Sequence, residues 1–324
     1  EAFYFLVGKL FVIDEIHKNE HFSKDLKAIY DVFELQVLFS GSSALQIENS
    51  LADLSRRAVI HTLGVLSLRE FCELQTKQTF QSYTLEEISS YTSSPLWFQL
   101  YIQADMNMNL KLIKKAEILG FKALVITIDA PISGLRNSEQ KAGFYLPQGI
   151  GAINIENLNP IQMTNNFENI LDITKTLPTW KDIEFIKKNT SLPVILKGIT
   201  SVSYAEKAIE LGIDGIVVSN HGGRTLDSMP ASIEILPKIA KAVNGKIPIL
   251  FDGGIKRGTD VIKAIALGAS AVMIGRPIMY GLATAGALGV AHTLKILKEE
   301  LEVSMIFTGC KSTKEIKNLD IFNN

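Results

Sequence analysis

The sequence predicts an α/β protein whose larger part is a TIM (βα)8-type barrel, with the third to eighth strands recognisable. From residue 95 onward, short apolar runs rich in Val and Ile alternate with longer amphipathic stretches. These runs are apolar on both alternating faces, as suits strands covered on both sides of a parallel sheet. Each run also ends in polar residues or Gly. A barrel collects its chemistry from the C-terminal ends of many strands, whereas an open doubly wound sheet concentrates it at one switch point.

The runs are 95–102 (PLWFQLYI), 123–130 (ALVITIDA), 193–199 (PVILKGI), 215–220 (GIVVSN), 248–254 (PILFDGG) and 271–277 (AVMIGRP). Their tips carry, in order, Gln99 and Tyr101; Thr127 and Asp129; Lys197; Ser219, Asn220 and His221; Asp252, Gly253 and Gly254; and Gly275 and Arg276. Helical patterns at 204–211, 233–243 and 259–267 lie between them, and Gly120, Gly212 and Gly268 suit helix C-caps. A complete barrel needs eight strands, so two more units should precede residue 95. Residues 77–94 are too few for them, because each parallel crossover takes a dozen or more residues.

The first 76 residues differ in character. Apolar strands are expected at 10–13 (LFVI) and 36–39 (QVLF), with a helix over 22–33 between them. A polar Thr/Gln/Lys stretch at 75–82 sets the boundary, giving domains 1–76 and 77–324. The two early strands are the candidates to fill the empty barrel places.

Composition bounds the function. Of 324 residues, 47% are hydrophobic and 21% charged, with a formal charge of −1, so the whole chain makes no electrostatic case for nucleic acid or an anionic membrane. No apolar run is long enough to span a bilayer. The opening Glu1-Ala2-Phe3-Tyr4 has no basic region ahead of an apolar core, so no signal peptide is read there. Cys72 and Cys310 have no metal-binding spacing. Two buried reduced thiols in a cytoplasmic protein is the expectation, with no metal site.

Several tips can carry chemistry. In Ser219-Asn220-His221-Gly222-Gly223-Arg224, two glycines let backbone approach a ligand, and a His there can act as a base near neutral pH. Arg224 can grip a carboxylate in a bidentate fork. The hexad alone serves equally as a core His beside a surface Arg. Asp129 can fix the tautomer of a His, or cap a helix before Pro131. Lys197 ends an apolar strand, where its ammonium can stabilise charge on a reduced cofactor or reach out to solvent. Asp252-Gly253-Gly254-Ile255-Lys256 and Gly275-Arg276-Pro277 stand on the last two strands, the usual phosphate site of this barrel.

SNHGGR, DGGIKRG and IGRP, with WFQLY and TIDAP upstream, resemble the FMN-dependent L-2-hydroxy acid oxidase and dehydrogenase family over residues 84–316. That family includes glycolate oxidase, lactate oxidase and flavin-linked L-lactate dehydrogenase. The resemblance implies FMN as cofactor, a small 2-hydroxy acid as substrate, oxygen or another electron acceptor, and an assembly of four chains. It implies His221 as catalytic base with Asp129 its partner, and Tyr101 on the substrate. Arg224 and Arg136, the latter in the loop SGLRNSEQ, would bind the substrate carboxylate. Lys197 would sit by the flavin N1–O2 edge, with Gln99, Thr127 and Ser219 on the ring. Asp252 would bind the ribityl chain, and Gly253, Gly254, Lys256, Gly275 and Arg276 would line the phosphate end. Thr225 and Lys256 depart from the family, where Gln and Arg are common; Lys256 keeps the charge without the planar fork. The family's first two strands, its N-terminal substrate-binding Tyr and a flavin-contacting Ser after strand 2 have no clear counterpart, Ser82 being a distant one.

In their place, LFVIDEIHK, VLFSGSSAL, DLSRRAV and LSLREF over residues 6–74 resemble part of an AAA+-type ATPase. The resemblance implies a Walker B pair at Asp14-Glu15, a sensor region at 40–43 and a phosphate-sensing Arg56 or Arg57. No GxxxxGK[ST] loop occurs in the chain, so the phosphate cradle is missing. Three functions are therefore carried forward: FMN-dependent oxidation of a 2-hydroxy acid, a fusion or truncation product without turnover, and a nucleotide-binding module.

Overall fold

The computed structural model describes the backbone of strands within residues 3–39, and residues 83–132, 143, 152–155 and 177–321. The chain falls into two compact units, Glu1–Gly64 and Val65–Asn324. In the first, β1 (Phe3–Val7) pairs antiparallel with β2 (Leu10–Asp14), and β2 pairs parallel with β3 (Gln36–Phe39). Strands β2 and β3 fall where the apolar runs place them; β1 was not anticipated. They form a sheet of their own, separate from the larger sheet, so the expectation that they fill the empty barrel places is wrong. The helix expected over 22–33, Glu15, the sensor region 40–43, Arg56, Arg57, Cys72 and Ser82 lie outside the described residues.

The second unit begins, among the described residues, with α1 (Leu85–Ser90) and six parallel strands in sequential order. They are β4 (Trp97–Leu100), β5 (Ala123–Thr127), β6 (Val194–Ile199), β7 (Gly215–Val218), β8 (Ile249–Phe251) and β9 (Ala271–Val272). The order never reverses, so there is no switch point of the doubly wound kind; this is the strand order of a (βα) barrel. Helices α2 (Met106–Ile118), α3 (Trp180–Lys188), α4 (Val202–Glu210), α5 (Ser232–Val243), α6 (Gly258–Ala266) and α7 (Arg276–Phe307) alternate with the strands.

Residue alternation divides the sheet into two faces. Leu124, Ile126, Leu196, Ile216, Val218 and Phe251 pack in one large cluster with helix residues such as Ile113, Ile186, Leu236 and Ile262. Ala123, Val125, Ile195, Val217 and Leu250, with Met273 against them, form a small second cluster on the opposite face. The first cluster is the strand–helix layer and the second the barrel interior. Each fully buried Ile, Leu or Val contributes about 1.5–3 kcal/mol, so the strand–helix layer supplies most of the stabilisation.

Local signals set the helix ends. The Asp105 carboxylate accepts the Asn107 N–H at 2.9 Å, and Ser201 Oγ accepts the Tyr204 N–H at 3.3 Å, each closing a free helix start. Gly120, Gly212 and Gly268 all have positive φ after helix ends, as their sequence positions suggested. Helix α7 breaks at Ala285 and Gly286, and the chain turns back so closely that a Cβ on Gly281 would meet the Gly289 carbonyl oxygen at 2.7 Å.

Among the described residues β4 and β9 each pair on one side only. Exposure follows: Trp97 on β4 is 46% exposed, while Val217 in the sheet centre is 0% exposed. Cys310 is a free thiol and only half-buried, correcting the expectation of a buried one. No helix among the described residues is long and apolar enough to cross a membrane, and none of their His, Cys, Asp and Glu side chains cluster as a metal site.

Candidate active site at the strand tips

Register brings the polar tips together. Gln99 pairs with Val125, Val125 with Ile195, and Val217 with Leu250, all interior-facing positions. Two residues further along their strands stand Tyr101, Thr127, Lys197, Ser219 and Asp252. A spacing of two keeps each on the same face, so they form the next layer at the C-terminal mouth.

Hydrogen bonds link neighbouring members of the mouth. Gln99 Nε2 donates to Thr127 Oγ1 at 2.9 Å. Lys197 Nζ donates to Ser219 Oγ at 3.0 Å and lies 3.2 Å from Asp252 Oδ2. The Lys197 side chain is 14% exposed and that of Asp252 17%, so Lys197 does not reach out to solvent. Ser219 Oγ, fully buried, also accepts the His221 backbone N–H at 3.0 Å. Lys197 and the His221 turn are thus fastened to one hydroxyl.

His221 Nδ1 lies 3.0 Å from Asp129 Oδ1, and its Nε2 lies 3.4 Å from the Tyr101 hydroxyl. A carboxylate only accepts, so Nδ1 carries the ring proton and Nε2 presents its lone pair to the Tyr101 hydroxyl. This resolves the choice left by sequence: no described helix starts at Asp129, which serves His221 instead. The two rings stack at 20° with centroids 6.4 Å apart.

The turn that carries His221 has a left-handed backbone. His221 has φ 56°, Gly222 65° and Gly223 72°. Such a conformation at a non-glycine residue stores strain and recurs at functional sites. A side chain at 222 would also have to displace a guanidinium. Arg276, at the start of α7, donates to the Gly222 carbonyl, and a Cβ at 222 would lie 2.6 Å from that guanidinium. Arg224 follows on the exposed part of the turn.

Gly253 (φ 100°) and Gly254 (φ 79°) lead from β8 towards α6. The Asp260 carboxylate accepts the N–H groups of Lys256 and Arg257 at 3.0 and 2.9 Å. Lys256 and Gly275 are exposed. Arg136 lies outside the described residues. Every other residue expected at the site stands on the strand tips or on the turns that follow them.

Two residues escaped the sequence reading. Ser232, buried at the start of α5, accepts the Asn220 N–H on Oγ at 3.0 Å, pinning the residue before His221. Asn154 bonds the Leu85 N–H at 3.0 Å and the Tyr83 carbonyl at 3.1 Å. Beside it a cavity of about 230 Å³ adjoins Gln99 and Tyr101. Neither residue sits in a local pattern that announces a long-range partner.

Among the described residues, two buried acceptors, Asp129 Oδ2 and Asp252 Oδ1, have no hydrogen-bond partner. Such atoms leave room for a further donor. Asp252, beside a lysine and open glycine turns, suits a hydroxyl-bearing phosphorylated cofactor.

Comparison with known proteins identifies that cofactor. The family model described as FMN-dependent dehydrogenase matches residues 69–323, and one described as AAA domain matches residues 2–72. A 2-hydroxyacid oxidase of Dictyostelium discoideum is 42% identical over 276 residues, 83% of this chain and 69% of that protein. An L-lactate oxidase of Nostoc sp. is 38% identical over 286 residues, 84% of this chain and 78% of the relative. Among solved structures, a mandelate oxidase mutant with benzaldehyde superimposes with a TM-score of 0.65 at 41% identity, covering 73% of this chain and 65% of that one. Another mandelate oxidase mutant was solved with a C4a-OH-FMN adduct. The chain thus spans about two thirds of the length of the proteins it matches. With a histidine, its carboxylate partner and a lysine–aspartate pair on the strand tips of a parallel barrel sheet, this chain belongs to the FMN-dependent dehydrogenase family, whose model spans residues 69–323.

Proposed function

We propose that the protein oxidises a small L-2-hydroxy acid of the lactate or glycolate kind to the 2-keto acid, with His221 as the base. The observation that carries this reading is the His221–Asp129 pair at 3.0 Å, with Nε2 beside the Tyr101 hydroxyl. FMN, when bound, would accept the two electrons and one of the two protons that leave the hydroxy acid, the other proton going to His221. Gln99, Thr127, Lys197 and Ser219 would hold its ring, Asp252 its ribityl hydroxyls, and Gly253, Gly254, Lys256, Gly275 and Arg276 its phosphate.

Arg224 and Arg136 bind the substrate carboxylate, which fixes the carbon bearing the hydroxyl next to Nε2. Tyr101 donates to the substrate oxygen. His221 takes a proton on Nε2, and the Asp129 carboxylate stabilises the imidazolium and holds the ring in place. The Lys197 ammonium, 3.2 Å from Asp252 Oδ2, stands where negative charge is stabilised. Oxygen is the electron acceptor that the names of the relatives favour. An assembly of four identical chains follows the family pattern.

One observation favours a second reading, a partial barrel without turnover: the unpaired sides of β4 and β9 among the described residues. The visible spectrum of the purified protein separates the two, taken without oxygen before and after L-lactate, glycolate or (S)-mandelate. A flavin spectrum that bleaches with one of them is expected. A bound flavin that none of them bleaches, or no flavin after FMN is added, selects the partial barrel. The nucleotide-binding reading rests on the match over residues 2–72 and lacks a GxxxxGK[ST] loop in this chain.

A further inference from the structure

Gly198 interrupts the ladder between β6 and β7. Lys197 pairs with Val217 and Ile199 with Val218, so Gly198 is an extra residue on β6. A bulge of this kind bends its strand and re-aims the side chains beside it, and such bulges gather next to active sites. The φ of Gly198 is 102°, which side-chain-bearing residues rarely adopt. On the other edge of β6, the Ile128 N–H donates to the Lys197 carbonyl at 2.9 Å. That bond draws the next residue, Asp129, across Gly198. A Cβ at 198 would lie 2.5 Å from Asp129 Cγ, 2.6 Å from its Cβ and 2.8 Å from Oδ1. Oδ1 is the atom on His221 Nδ1. With its side chain only 10% exposed, Asp129 has little room to yield.

We propose that Gly198 is a positioning residue for the His221–Asp129 pair: the bulge clears the space in which the carboxylate meets Nδ1. The proposal rests on the functional reading above and deepens it. It assigns the placement of the base to a residue that has no side chain and touches no reactant. A methyl group at 198 displaces Asp129 from the imidazole or flattens the bulge.

The test is the imidazole ¹⁵N spectrum of His221 in the full chain, assigned by its loss in His221→Gln. A carboxylate at Nδ1 holds one tautomer, with two well-separated nitrogen shifts. Gly198→Ala is expected to bring those shifts together, as Asp129→Ala does, and to add nothing in an Asp129→Ala background. Gly212→Ala is the control for backbone strain alone, because Gly212 has φ 67° with nothing within 4 Å of its added Cβ. It is expected to leave the His221 signals as in the wild type. If Gly198→Ala folds too poorly for spectra, melting temperatures replace them. The Tm loss from Gly198→Ala is then expected to be smaller in an Asp129→Gly background, where the clashing Cβ, Cγ and Oδ1 are all gone. Wild-type imidazole shifts in a folded Gly198→Ala protein, or an equal Tm loss in both backgrounds, would overturn the proposal. Where turnover is measurable, kcat falls about 10²-fold with KM little changed. A wild-type protein that does not turn over, yet shows the stated shifts, removes the functional reading and leaves the positioning role standing.

Discussion

Lys197 couples the two halves of the site, since its ammonium bonds Ser219 Oγ and faces Asp252 Oδ2. Asp252 already has one buried oxygen without a partner among the described residues. Removing the lysine would leave a largely buried carboxylate uncompensated, which costs about 3–5 kcal/mol. Lys197→Met is therefore expected to lower the urea midpoint sharply and to weaken FMN binding. Asp252→Asn leaves the Lys197 ammonium, 14% exposed, without its carboxylate, so it is expected to lower the midpoint as well. Equal midpoints for wild type and Lys197→Met would show that the pair is not the fastening of this layer. Much of the site was legible at this scale. His221, Asp129, Lys197 and Asp252 stand at strand ends, where a two-residue period announces the mouth. Gly198 was not read, because one glycine in an apolar strand looks like any other until a neighbouring strand shows what it must clear.

At the scale of elements, Glu117 joins α2 to the start of β6. Its side chain is 8% exposed and lies 2.8 Å from Lys114 Nζ. It accepts the Thr190 hydroxyl at 2.8 Å and the Ser191 N–H at 2.7 Å. The Lys114 ammonium, helped by the Ser191 and Thr190 donors, lowers this carboxyl from 4.5 to about 2. A carboxyl lowered in the folded state contributes stability above its ordinary range, and that stability is lost as pH falls toward the folded value. Wild type should therefore lose stability between about pH 5 and pH 2, by on the order of 1 kcal/mol from this group. Glu117→Gln should be less stable at pH 7 and show a shallower acid slope. Urea midpoints at pH 6 and pH 3 check this, and parallel slopes would remove Glu117 from the account. The helix spans were legible because their apolar period is strong. The turn at Ala285–Gly286 inside α7 was not, since only the close approach of Gly281 and Gly289 reveals it.

For the whole molecule, the six-stranded sheet is the frame on which the site depends. Its central strands are covered on both faces, while Trp97 on β4 stays exposed. A cofactor that bridges several strand tips stabilises such a sheet by binding the folded state alone. FMN at a hundred times its Kd would add about 2.7 kcal/mol. The expected outcome is a rise in Tm with FMN concentration, read by circular dichroism, and a smaller rise in Lys197→Met. A Tm insensitive to FMN would mean that the strand tips do not form a working cofactor site.

The sequence by itself determined the strand–helix alternation, the parallel sheet and the chemical character of each strand tip, because hydrophobic period and strand-end polarity are local properties. It also carried the family resemblance in motifs that stay contiguous along the chain. Only the tertiary structure decided which tips meet. It showed that β1, β2 and β3 form their own sheet instead of completing the barrel. It also gave Asp129 to His221 and not to a helix start, and Arg276 to the Gly222 carbonyl. The physical reason is that pairing between strands and contact across a bulge depend on residues far apart in the chain, whose separation in space no local pattern records.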